Sequence, residues 1–137
     1  MNVLCIGRHP YLSDFLAAYF RDAKLHTSAA VGLDDGEQAA RTSAFDVVIC
    51  DYDLLAPLAP ERWSSLRVLC TAPVIAVSLT RRADEAPTLD TASFVLYLYL
   101  PTVNPENARQ IVMAVGRPVP YSLPSFDRSR ELARPSA

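Results

Sequence analysis

The chain has 137 residues, half of them apolar, and a formal charge of -2. That length fits one domain with a sizeable core, and the small net charge gives no bulk reason to expect nucleic-acid binding. No apolar run reaches the roughly 18 residues of a membrane span, and the N-terminus lacks the basic, apolar and small-residue succession of a secretory signal.

The first element, Val3-Leu4-Cys5-Ile6, is a continuous apolar run, the pattern of a strand buried on both faces. Pro10–Asp22 reads as a helix, with Leu12, Phe15, Leu16, Tyr19 and Phe20 on one face and Pro10 in the first turn, where its missing N–H is not needed. Leu25–Val31 reads as a second strand. Asp34-Asp35-Gly36 marks a turn, with Asp35 as the cap of a short helix running to Thr42. Asp46–Cys50 is the clearest buried strand and ends at Asp51.

Leu54–Pro60 reads as a proline-punctuated loop, and Glu61–Val68 as a short helix turning Trp63 and Leu66 inward. Leu54, Leu55 and Leu58 are unusually apolar for a connection; they either cover Trp63 or form a docking patch. Pro73–Ser78 is a fourth strand and Phe94–Leu100 a fifth, and Pro87 interrupts any long helix over Arg81–Ala92 between them. Asn104 caps a last helix, Pro105 opens it, Ala108, Ile111, Val112 and Val115 share a face, and Gly116 can end it.

Short apolar strands alternating with helices predict a doubly wound, five-stranded parallel α/β sheet covered on both faces, over residues 1–117. From Pro118 to residue 137 four prolines interrupt a polar segment, read as a tail or linker in which Phe126–Ala133 has the makings of a short helix. Cys5, Cys50 and Cys70 are odd in number, widely spaced and without a Cys-x-x-Cys pair. They read as structural thiols of a reducing cytoplasm rather than zinc ligands.

This order of elements resembles the receiver domain of response regulators, with strand order 2-1-3-4-5. The opening Gly7-Arg8-His9-Pro10 is similar to the branch whose first loop reads Asp-Asp-His-Pro. The resemblance places Asp51 at the family's phosphoacceptor position, Ser78 at its Ser/Thr, Tyr97 at its switch aromatic and Leu100-Pro101 at its Lys-Pro pair. Two departures matter. Gly7 and Arg8 stand where the family has metal-binding acids, and Leu100 stands where it has lysine.

Phosphoryl transfer to a carboxylate needs cationic stabilisation of the transferring oxygens, which Mg²⁺ and the lysine provide in the family. By the resemblance, Asp51 and the carbonyl of Asp53 would remain as ligands, with Arg8 as a cation beside them. Like charges about 4 Å apart repel by about 4 kcal/mol at an effective dielectric near 20, and half of that costs more than tenfold in metal affinity. The sequence therefore predicts disfavoured Mg²⁺ binding, no cofactor, and an Arg8–Asp51 pair standing in for the metal.

The bland readings are that Asp51 caps the following turn, Ser78 satisfies a strand-end backbone group, and His9 belongs to the loop. Tyr97 and Tyr99 alternate onto one side of their strand, as core or as part of a contact face. The resemblance implies that this face, made by the family's fourth helix, fifth strand and fifth helix, takes a protein partner or a second copy in a homodimer.

The expected function is an atypical, non-enzymatic receiver of a signalling or transcriptional regulator. It acts in the cytoplasm by phosphorylation-independent protein contacts. DNA is reached only through a separate effector domain if one exists, and no membrane is involved. The alternative is a small-ligand sensor on a flavodoxin-like scaffold, with Gly7–Pro10, Asp51 and Ser78 around the pocket and Arg8 receiving an anion.

Overall fold

The computed structural model describes residues 1–80 and 94–116. The Arg81–Ala92 segment with its Arg81-Arg82 pair, the boundary at 117/118 and the Pro-rich tail lie outside the described residues.

Five parallel strands form one sheet in the order β2-β1-β3-β4-β5. They are β1 (Asn2–Gly7), β2 (His26–Val31), β3 (Val47–Asp51), β4 (Val74–Ser78) and β5 (Phe94–Tyr99). The helices are α1 (Pro10–Asp22), α2 (Gly32–Thr42), the one-turn α3 (Tyr52–Leu55), α4 (Pro60–Ser65) and α5 (Pro105–Gly116). Short 3-10 turns cover Leu69–Thr71 and Leu100–Thr102. The fold class and parallel sense are those that the apolar runs predict, and the strand order is the one that the receiver resemblance implies.

Alternation along the strands builds two cores. Val3, Cys5, Val47, Ile49, Ile75 and Val77 face α1 and α5. Leu4, Ile6, Val48, Cys50, Val74 and Ala76 face the opposite side, with Leu55, Trp63, Leu66 and Leu69. Every residue of β3 and β4 is buried, because both faces are covered and both lateral neighbours are strands.

The predicted face of α1 needs correction. Leu12, Leu16 and Phe20 are buried together with Ser13 and Ala17, whereas Phe15 is 46% exposed and Tyr19 only partly buried. The inward face is therefore the 12/16/20 and 13/17 rows. Tyr11, Phe15 and Tyr19 form the next row, one residue over, and that offset carries them toward solvent. His9 is the N-cap of α1, and its Nδ1 accepts the Leu12 amide at 3.2 Å.

A second correction concerns the turn after β2. Asp34-Asp35-Gly36 lies inside α2, and the chain turns at Gly32, whose φ is +83°. Asp35 does not cap the helix ahead of itself. Its Oδ2 reaches back to the Val31 amide at 2.9 Å. Gly36 is buried because the Ile6 side chain fills the space where a Cβ would stand. A third concerns Leu54–Pro60: its start belongs to α3, and Leu54, Leu55 and Leu58 pack into the core holding Trp63. The Glu61–Val68 helix is shorter than expected, ending at Ser65. Asn104 does cap α5, its Oδ1 accepting the Asn107 amide at 2.8 Å.

Glu37 has no counterpart in the sequence reading. It is 7% exposed, pairs with Arg41 Nε at 3.1 Å, and accepts the amides of Val68 and Leu69 at 3.0 and 2.9 Å. One carboxylate on α2 thus ties down the segment leading into β4. Glu37→Ala leaves buried N–H groups unpaired and is expected to cost about 2–4 kcal/mol in urea unfolding.

Burial pushes the Cys5 thiol up from 9.0 to about 12, against a smaller opposing effect of Arg21. Cys50 is raised as well, by burial first and by the Asp51 charge second. Thiols of the unfolded chain ionise near 9.0 while the folded ones hold their protons. Their stabilising contribution is complete below that pH and is lost as pH climbs toward the folded value. Urea midpoints should therefore fall between pH 8 and pH 10.5, and less steeply in Cys5→Ala.

Candidate functional site

Asp51, Arg8, Asp53 and Ser78 come together at the carboxyl end of the sheet, around the ends of β1, β3 and β4. In an open parallel sheet this edge is where loops converge and ligands bind. Gly7 ends β1. A Cβ on it would stand 2.5 Å from the Ser13 nitrogen and 3.0 Å from the Leu12 carbonyl carbon. The first turn of α1 therefore sits on the strand end more closely than any side chain at position 7 permits. Ser13, buried under this turn, is within hydrogen-bonding distance of the carbonyls of His9 and Pro10.

That approach directs Arg8 across the strand ends. Its Nε lies 2.5 Å from Asp51 Oδ2, and its NH1 lies 3.0 Å from Asp53 Oδ2. Asp51 is 3% exposed, while the Arg8 side chain keeps about half of its surface in water, at 48%. Oδ2 of Asp51 accepts no well-aligned hydrogen bond from the described residues, and its compensation among them is the guanidinium charge at contact distance rather than a directed bond. The other oxygen, Oδ1, accepts the Asp53 amide at 3.0 Å and caps α3. Asp51 is thus a helix cap and an ion-pair partner at once.

Ser78 is bound locally. Its hydroxyl donates to the Thr80 carbonyl at 2.5 Å and accepts the Thr80 amide at 3.2 Å, a turn that closes the end of β4. Leu100 does not reach the carboxylates. It is buried in the core shared with Leu12, Leu16, Val77 and Leu98. The cavity among Arg8, Asp51, Asp53, Ser78 and Thr80 holds about 30 Å³, room for a water or two. No group of three His, Cys, Asp or Glu side chains suited to a metal occurs among the described residues.

Tyr97 turns to the side of the sheet opposite α1, edge-on to Tyr52 with ring centroids 5.4 Å apart. Its hydroxyl is buried with no hydrogen-bond partner among the described residues. Tyr99 is half-buried. Sequence reasoning missed Tyr52 and Thr80. An aromatic directly after a strand-end aspartate and a second hydroxyl residue after Ser78 are the signals that would have found them.

No family model matches the sequence, and no curated protein matches it. Solved structures do. A chemotaxis protein of Vibrio cholerae, CheY4, superposes with a TM-score of 0.58 at 17% identity, over 83% of this chain and 97% of that one. The receiver domain of a sensor histidine kinase from Pseudomonas aeruginosa, with a magnesium ion coordinated in its active-site cleft, gives 0.62 at 15%, over 84% and 96%. A two-component response regulator from Clostridium difficile gives 0.60 at 15%, over 84% and 94%. The chain has the receiver-domain fold.

Gly7→Ala is expected to force α1 off the strand end and lower stability by about 1–3 kcal/mol, read as a shift in urea midpoint at unchanged slope. Gly7→Asp, which would supply an acid at the first loop, meets the same backbone.

Proposed function

We propose that this chain is a receiver-like regulatory module of two-component-type signalling that works through protein contacts without phosphorylation. The observation that carries the reading is the Arg8 guanidinium lying against both Asp51 and Asp53. A divalent ion needs those oxygens free and the neighbouring charge negative. Here the carboxylates are already compensated by a cation that is part of the chain. The residues present do not fit Mg²⁺, and no phosphoryl-transfer step follows from them. Leu100 brings no charge to the pocket, and the Ser78 hydroxyl is engaged with Thr80. These features support a pocket held in one state by its own side chains.

In this reading the module is not an enzyme. It works in the cytoplasm and delivers its output through β5, α5 and the segment between β4 and β5, to a protein partner or a second copy. Any effect on transcription passes through a separate DNA-binding domain. The small-ligand alternative at this edge has less support, because about 30 Å³ of cavity is far below the roughly 300–1,000 Å³ of small-molecule sites.

Amide NMR with beryllofluoride and Mg²⁺ tests the proposal. The wild-type chain should show no saturable change at Asp51, Ser78 or Tyr97. Arg8→Asp should bind Mn²⁺ at least about tenfold more tightly than wild type, seen as paramagnetic broadening around Asp51. Saturable beryllofluoride shifts in the wild type, or Mg²⁺-dependent labelling of Asp51 by acetyl phosphate, would overturn it.

A further inference from the structure

The opposite edge of the sheet carries a larger cavity, of about 420 Å³, within the usual range of small-molecule sites. It opens beside the start of β2, between the end of α1 and the loop from α2 to β3, and is lined by Arg21, His26, Thr27, Ser28, Ser43 and Phe45 among others. We infer that it binds a small organic anion, a carboxylate or monophosphate on a compact, partly apolar body.

Charge is the first argument. The described lining residues include a guanidinium and an imidazole but no Asp or Glu. The nearby Asp46 is engaged, its Oδ2 accepting the Asn2 amide at 2.8 Å. The second is unused capacity. The side chains of Arg21, His26, Ser28 and Ser43 make no hydrogen bond or ion pair with the described residues. Four residues with polar side chains line one cavity and have no side-chain partner among the described residues, which leaves them available to a ligand or to water. Arg21 is also close enough to β1 for its charge to act on the Cys5 thiol.

Backbone geometry adds a further donor. β2 is an edge strand, and the His26 amide bonds inward to the Met1 carbonyl at 3.3 Å. Backbone groups of successive residues in a parallel strand point to opposite sides, so the Thr27 amide faces outward, at the cavity wall. An anion here meets an Arg fork, an imidazole and a main-chain N–H, a combination suited to carboxylate or phosphate oxygens. Leu25 and Phe45 supply apolar surface for the rest of the molecule. This site is independent of the Arg8–Asp51 pair, which lies at the other end of the strands.

The test is an amide-NMR titration of the whole chain with AMP, salicylate and inorganic phosphate, using adenosine and salicylamide as neutral controls. Saturable shifts are expected at Arg21, His26–Ser28 and Ser43–Phe45 with AMP or salicylate, with Kd below about 1 mM. The matching neutral control should bind at least about tenfold more weakly. Arg21→Gln should weaken binding by a similar factor, and Arg8→Ala should leave it unchanged. The inference is overturned by an absence of saturable shifts with both organic anions, by equal binding of the neutral controls, by indifference to Arg21→Gln, or by shifts confined to the Arg8–Asp51 end.

Discussion

The close seating of α1 on Gly7 is the constraint on which the carboxyl edge depends. With no Cβ at position 7, the Ser13 nitrogen comes down onto the strand end. The loop between them is then short, and the next side chain, Arg8, has one productive direction, across β1 toward the end of β3. There it meets a carboxylate with almost no water of its own. A buried anion without compensation is costly. The ion pair and the α3 cap together supply that compensation, one on each oxygen of Asp51. The geometry of a single glycine thus underlies both the closure of the pocket and the electrostatics inside it.

The same edge shows how function in this fold depends on a few polar atoms rather than on the scaffold. The sheet, its order and its helices match receivers that share only 15–17% of their residues with this chain. One of those relatives coordinates magnesium in its cleft. In this chain the first loop carries a cation, Arg8, against Asp51 and Asp53, and the residue after β5 is the apolar Leu100. Arg8 retains half of its surface in water, so solvent screens the pair and its energy is modest. Its reach is double: one guanidinium lies against both Asp51 and Asp53.

The two ends of the sheet are built on opposite principles. At the carboxyl end the polar groups satisfy one another and leave almost no space. At the amino end a larger cavity is lined by Arg21, His26, Ser28 and Ser43, whose side chains have no partner among the described residues. Between them, buried groups such as Glu37 are fully engaged, fixing the connection into β4 without contributing to either site.

The sequence by itself determined the strands and their parallel sense, and the resemblance it carries supplied their order and pointed to the carboxyl-edge residues. Continuous apolar runs of four to six residues have few alternatives to a sheet covered on both faces, and Asn104 and Pro105 announce α5 through local chemistry alone. The charge placed at Arg8 and lost at Leu100 is equally visible in one dimension. Other features required the tertiary structure. The inward row of α1 was misread because aromatic residues occur on two adjacent rows, and only the packing partner selects between them. Glu37 was invisible because its ligands, the amides of Val68 and Leu69, lie 31 and 32 residues away. The amino-edge cavity draws on residues from β1, α1, β2 and the loop before β3. Local preferences act within a few residues, whereas burial, ion pairing and cavities depend on which distant segments share a neighbourhood, and only the folded chain decides that.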